Sequence, residues 1–299
     1  MADYGRPVQF GVFPTPNAAE REEILALADV ADQRGLDLIG IQDHPYQRRY
    51  LDTWMLMPIL LARTERVRVF PDVTSLPLRP PAVLAKAAAS LDLLSDGRFE
   101  LGLGAGAFWD AIGAMGGPRR TPGQAAAALG EAIEVIRAMW SDERSVRYHG
   151  DHYQLDGVKP GPAPAHDIGI WLGVTGPRLL ELLGRTADGW VPSHSYIGPD
   201  KLPGMHERID AGVTTAGRDP AEIQRIYNIF GTITAGPSRG SFDGPADQWV
   251  EELTGLVVDG GMDTFVFGPA TDPLHQVQAF AEDVAPAVRA AVETHRRSR

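Results

Sequence analysis

The sequence predicts a single parallel (β/α)₈ barrel over residues 1–299. Short apolar runs alternate with longer amphipathic segments eight times along the chain, and alternating βα units specify a parallel sheet. The 299 residues also suit a barrel of about 250 residues carrying insertions.

The elements follow in order. Val8 to Phe13 is the first strand, ended by Pro14. Glu20 to Arg34 repeats apolar residues at Ile24, Leu27, Ala28 and Ala31, with acids in its first turn and Gly35 as a stop, the signature of a helix. Leu36 to Ile41 is apolar or small apart from Asp37, as a strand buried on both faces should be. A helix from Thr53 to Arg63, a strand from Val67 to Val73 and a helix from Pro81 to Leu94 come next, the last with proline in its first turn. Phe99 to Leu103 is a strand running into Gly102-Leu103-Gly104-Ala105-Gly106, and Gln124 to Trp140 is its helix. The second half reads as strand 168–174, helix 177–186, strand 189–192, helix 201–215, strand 223–233, helix 245–259, strand 264–267 and one long helix 273–294. Ile112 to Pro122, Ser141 to Asp167 and Ala235 to Gly244 exceed a minimal barrel. Loops after strands form the functional face of this fold, so insertions there shape pockets.

Composition excludes several classes. A net charge of −11 argues against a nucleic-acid binder, which needs a basic surface. It leaves room for an anionic cofactor, because a few amides at a helix start hold a phosphate. No apolar run approaches the roughly 18 residues of a membrane span. The first residues lack the pattern of a secretion signal, so a cytoplasmic address is the default expectation. With no cysteine, disulfides, thiolate zinc sites and cysteine nucleophiles are absent. No Gly-x-Ser-x-Gly elbow supplies a serine nucleophile either. His149, Asp151 and His152 are close together in a loop rich in Gly and Pro, but lack a third convincing ligand. The basic tail His295 to Arg299 reads as a solvated helix end.

Three segments at predicted strand ends carry the chemistry. Asp43 beside His44 could orient an imidazole and tune its proton affinity; a histidine satisfying a turn before Pro45 has the same sequence. Asp72, Val73 and Thr74 could line a cofactor pocket or simply meet solvent. Val174, Thr175, Gly176, Pro177 and Arg178 form a turn into a helix, where free amides and the helix dipole favour an anion. An ordinary βα turn also uses Gly and Pro. Gly104 and Gly106 permit close approach of a ring or ribityl chain, although their spacing is not a dinucleotide fingerprint.

Taken together, Asp43-His44, the Arg-Pro-Pro-Ala-Val run opening the third helix, Leu94-Ser95-Asp96-Gly97-Arg98-Phe99, Gly176-Pro177-Arg178 and Gly184-Arg185-Thr186-Ala187-Asp188-Gly189-Trp190 resemble the luciferase-like monooxygenase family. The resemblance implies an oxidoreductase using FMN or coenzyme F420 on a small organic substrate, often as a homodimer. It implies that His44 donates or accepts a proton near the reactive ring and that Asp43 contacts the cofactor. It further implies a non-proline cis peptide in the Asp72–Thr74 segment, and phosphate-binding amides at Val174, Thr175 and Gly176. Asp-His rather than Glu-His-His leans toward F420. Two departures stand out: Ala107 replaces an acid of the deazaflavin sugar-phosphate dehydrogenases, and Arg48 replaces their active-site tryptophan. They put that substrate in doubt and keep a second expectation open, a flavin- or deazaflavin-binding protein without catalysis.

Overall fold

The computed structural model describes residues 3–298. Its eight barrel strands are β1 (Gln9–Val12), β2 (Leu38–Ile41), β3 (Arg68–Pro71), β4 (Leu101–Gly104), β5 (Ile170–Leu172), β6 (Gly189–Trp190), β7 (Gln224–Ile233) and β8 (Thr264–Pro269). Every neighbouring pair is parallel, from β1 beside β2 and β8 round to β6 beside β7. The ring closes between β3 and β4 through the Val69–Phe99 bridge and through Thr74–Ser75, a continuation of the third strand that pairs with Leu103 and Gly104.

Around the barrel run α1 (Arg21–Gln33), α2 (Thr53–Arg63), α3 (Pro81–Leu94), α4 (Pro122–Met139), α5 (Pro177–Thr186), α6 (Leu202–Thr215), α7 (Ala246–Val258) and α8 (Pro273–Ala279). The expected last helix continues from α8, but through a π-helical stretch, Phe280–Val284, into Ala285–Arg297. Pro286 explains the break: it has no N–H to donate, and its ring crowds the carbonyl four residues back.

Alternate strand residues divide between two apolar clusters. Leu38, Phe70, Trp171, Val191, Ile226 and Val266 meet inside the barrel, whereas Ile39, Ile41, Val69, Leu101 and Phe267 face the helices. Gly189 makes room for the interior tryptophan, since a Cβ there would lie 2.5 Å from Trp171. The amino end of the lumen is sealed by polar groups. Arg68 donates to Glu100 (2.5 Å) and Gln9 (2.9 Å), and Gln224 donates to the same Gln9 oxygen (2.7 Å).

A buried cation fastens α6 to this end. Arg225 has no exposed surface and satisfies its donors with Asp210 (2.6 Å), His206 Nδ1 (3.0 Å) and the Pro220 and Ile223 carbonyls. Its guanidinium also covers the Tyr4 ring at 3.4 Å. The bond from Arg225 makes Nδ1 of His206 an acceptor, so Nε2 carries the proton donated to the Gly260 carbonyl (3.0 Å). His206 is therefore neutral; burial first, and then the Arg225 charge, push its pKa down to about 3. The unfolded chain takes up a proton near pH 6.5 that the folded chain refuses. This contribution is complete above about pH 6.5 and is lost as pH falls toward the folded value. About 2 kcal/mol should disappear between pH 6.5 and 5, at roughly 1.4 kcal/mol per unit. Urea unfolding at the two pH values measures the loss, and His206→Gln should flatten it.

The insertions have definite structures. Ser141 to Asp167 follows a helix rather than a strand and folds into an antiparallel hairpin, Val146–His149 with Gln154–Val158. The hairpin climbs back along α4 toward the carboxyl end of the barrel. At its tip the amides of Asp151, His152 and Tyr153 all donate to Glu131, and Tyr148 donates to Glu134 (2.8 Å). The stretch before α4 contributes a short helix, Trp109–Ala114. The segment after β7 returns as Asp243–Gly244 beside Thr232 and Ile233 and buries Phe242. The expected solvated tail is tied down: Arg296 grips Asp3 through two nitrogens (2.5 and 2.8 Å) and donates to the Arg6 carbonyl (2.8 Å). Arg299, the last residue of that expected tail, lies outside the described residues, as do Met1 and Ala2 of the signal reading.

Candidate functional site

The carboxyl ends of β2 to β5 surround a cavity of about 240 Å³. Of the residues singled out from sequence, Asp43, His44, Val73, Thr74, Gly104, Gly106, Val174 and Thr175 line it, joined by Tyr46, Phe108 and Leu179. Asp72 does not line it; that side chain is buried in the lumen behind Val73. Gly176, Pro177 and Arg178 lie at the start of α5 outside the cavity wall, with Arg178 exposed. Thr175 and Pro177 also border an adjoining groove between α5 and α6.

The third strand breaks at Asp72 and Val73, whose peptide bond is cis. Val73 sits in the cavity wall between two glycines. A Cβ on Gly104 or Gly173 would lie 2.9 or 2.8 Å from its Cγ2, so only glycine lets the three strand ends meet there. The neighbouring run from Gly104 to Ala107 carries no side chain larger than methyl, leaving backbone for a flat group to approach.

Asp43 is 1% exposed and its carboxylate is fully engaged. Arg79 binds it with two nitrogens (2.9 and 2.8 Å), the Ser75 amide donates to it (3.0 Å), and Arg79 extends to Asp52 (2.8 Å). The acid thus fastens the loop after β2 to the end of the third strand. Its neighbour His44 faces the cavity. Nδ1 of His44 lies 2.6 Å from the Tyr46 hydroxyl, and Phe108 stands edge-on to the ring at 5.5 Å. Among the described residues no hydrogen bond reaches Nε2. Burial lowers the His44 pKa below its usual 6.5, with the Asp43 charge opposing, so the imidazole is neutral at pH 7. Burial raises the Tyr46 hydroxyl to about 12, aided by Asp43, which keeps it protonated.

The far wall is the turn into α5. The Trp190 indole donates to the Val174 carbonyl (2.9 Å) and fixes this turn. Among the described residues the Thr175 and Gly176 amides have no protein acceptor, a setting that suits an anion at a helix start. Among the described residues the Thr74 hydroxyl, buried at the cavity, has no partner. An unpartnered hydroxyl, a glycine-lined wall and free amides fit a planar ring with a phosphate tail.

Tyr46, Arg79 and Ser75 were not singled out from sequence as site residues. Arg79 lies 36 positions from Asp43, and nothing local marks their pairing. Tyr46 had a signal, two residues after the histidine at a strand end.

A closed parallel barrel with a cavity at the carboxyl ends of its strands has the architecture of an α/β-barrel enzyme. Comparison with known proteins narrows the class: the chain belongs to the luciferase-like monooxygenase family, which it matches over residues 6–239. It is 30% identical to the F420-dependent glucose-6-phosphate dehydrogenase of Kineococcus radiotolerans over 237 residues, 76% of this chain and 68% of that protein. To the enzyme of the same description from Amycolatopsis mediterranei it is 26% identical over 316 aligned positions, 90% of this chain and 95% of the relative. Among solved structures, an F420-dependent secondary alcohol dehydrogenase in complex with an F420-acetone adduct superposes with a TM-score of 0.85 at 20% identity, covering 95% of this chain and 99% of the other.

Proposed function

We propose that this protein is an F420-dependent oxidoreductase of the luciferase-like family, acting on a small organic substrate and using His44 to move the accompanying proton. The observation that carries the reading is His44 itself: neutral, in the cavity wall, and with Nε2 unpartnered among the described residues. The relatives' use of F420 and the Asp43-His44 pair support F420 over FMN. Bound in the cavity, F420 would supply the hydride acceptor or donor. Val73 and the Gly104–Ala107 backbone would support its ring, while the Thr175 and Gly176 amides hold its phosphate.

The chain's own residues manage the proton. With Nδ1–H donating to Tyr46, Nε2 offers a lone pair and accepts a proton from a substrate hydroxyl. In the reduction direction the same ring, protonated on both nitrogens with Nδ1–H still donating to Tyr46, gives its Nε2 proton to a carbonyl and returns to the neutral form. One hydrogen-bonded pair thus serves oxidation and reduction, and Asp43 holds the loop that presents it. Phe108 shields the pair from water.

We also assign residues 1–299 to one functional domain, and the protein to the cytoplasm as a homodimer. Support for self-association comes from an apolar groove of about 430 Å³ between α2 and α3. Met55 and Val83 on this face are 67% and 66% exposed, and an exposed apolar groove is where a second copy would pack. No helix among the described residues is long and apolar enough to cross a membrane.

An equilibrium titration with F420 and with FMN, followed by fluorescence quenching, tests the cofactor. Tight binding of F420 and weak binding of FMN is the expected result. Tight binding of FMN alone would redirect the search to oxygen-dependent substrates, and binding of neither would overturn the site.

A further inference from the structure

We propose that Asp72 serves as a protonated carboxylic acid paired with the Asn228 amide, a positioning pair inside the barrel that holds Val73 in place against the cofactor ring. The part concerning the ring rests on the proposed function above; the pairing itself does not.

Three observations lead to this assignment. First, Asp72 and Asn228 come from β3 and β7 and meet across the lumen, where Asn228 Nδ2 donates to Asp72 Oδ1 at 3.0 Å. Second, the remaining oxygens of both side chains, Asp72 Oδ2 and Asn228 Oδ1, are buried without a partner. Both are acceptors when Asp72 is ionised, and a buried acceptor without a donor is costly. A single proton on Asp72 Oδ2 supplies the missing donor. Asn228 Oδ1 can accept it, completing a two-bond acid–amide pair. Third, the surroundings do not favour the charge. A Cβ on Gly40 would lie 2.9 Å from Asp72 Oδ2, and the Phe70 ring occupies the same region. The other polar neighbour is neutral: Ser193, whose hydroxyl lies 3.3 Å from Asn228 Nδ2.

Among the described residues no ionisable group touches Asp72. Asp43, His44 and Tyr46 follow β2 and line the cavity beyond Val73, and His194 follows β6. Arg68, Glu100, Arg225 and Asp263 belong to the amino end of β3, β4, β7 and β8. Burial raises the Asp72 carboxyl to about 7, with the Asn228 bond as the opposing influence.

The pair has a route to the site in both directions. Asp72 is bonded directly to Val73 in the cavity wall. Asn228 accepts the His194 amide on its carbonyl (2.8 Å) and donates its own amide to the Pro192 carbonyl (3.0 Å). It therefore ties the Val73 wall to the loop after β6. When Asp72 loses its proton, two acceptors face each other and this tie loosens.

The test uses the intact protein with carbon-13-labelled aspartate. A carboxyl resonance titrating near pH 7 is expected, absent from Asp72→Asn; titration of Asp72 in the usual carboxylate range, near 4, would overturn the pairing. Cofactor titrations of wild type between about pH 6 and 8 should show affinity falling on the order of tenfold as the proton is lost. Asp72→Asn keeps a donor toward Asn228 and should bind with no such pH dependence. An equally steep dependence in Asp72→Asn would remove Asp72 from the ring's support. Asn228→Leu should shift the carboxyl titration, and an unmoved resonance would show that Asn228 is not the partner. Failure to bind either F420 or FMN at any pH would count against the proposed function and leave the aspartate spectra to judge the pair.

Discussion

Replacing His44 with glutamine is expected to lower turnover by a factor on the order of 10² to 10⁴, the usual worth of a positioned acid or base. Cofactor affinity should stay within about threefold, because the wall of Val73 and glycine backbone and the Thr175–Gly176 amides are untouched. The split between rate and binding is the diagnostic result. Pre-steady-state mixing of F420 with substrate measures the first, and fluorescence titration the second. In wild type the oxidation rate should fall as pH drops below 6.5, because His44 then gains the proton it must be free to accept. Burial places that limb below the ordinary histidine range and Asp43 opposes it. The limb should vanish in His44→Gln. An unchanged rate would remove His44 from the chemistry, and tight binding with no turnover on any alcohol or carbonyl would favour a carrier.

The second large effect concerns stability. Asp210→Asn should destabilise the fold by about 3 kcal/mol, because it strips the ionic partner from a buried cation. Arg225 is fully enclosed, cannot shed its proton at ordinary pH, and makes its shortest bond, 2.6 Å, to Asp210. Tyr4, His206 and two carbonyls would remain, none of them negatively charged. The urea midpoint measures the loss, and cofactor binding should be unaffected because the cluster is at the opposite end of the barrel. A change below about 1 kcal/mol would show that Asp263, whose carboxylate accepts the Arg225 amide, already balances the charge.

The barrel was legible because its signals are local. Thr53–Arg63, Pro81–Leu94 and Pro177–Thr186 start and stop where caps and prolines place them. Strand cores such as Leu38–Ile41 follow from unbroken apolar runs. What escaped was set by contacts between distant residues. The hairpin over 146–158 alternates weakly and is held by Glu131, a helix residue. The break in the last helix needed the position of Pro286 within an otherwise regular pattern. At the site, the strand-end rule located His44, Val73 and Thr175 together. It could not reveal that Asp43 is occupied by Arg79, or that Asp72 points into the lumen toward Asn228 rather than at the cavity. Both facts depend on partners 36 and 156 residues away.

The grip of Arg296 on Asp3 has a practical meaning for handling the protein. It brings residues near both ends together at the amino end of the barrel, where Arg6 also meets the Ala221 carbonyl and Asp263. The cavity opens at the other end. A surface linked through residues beside Asp3 or Arg296 would therefore hold the molecule with its cavity toward solution, and immobilisation there would leave substrate access intact.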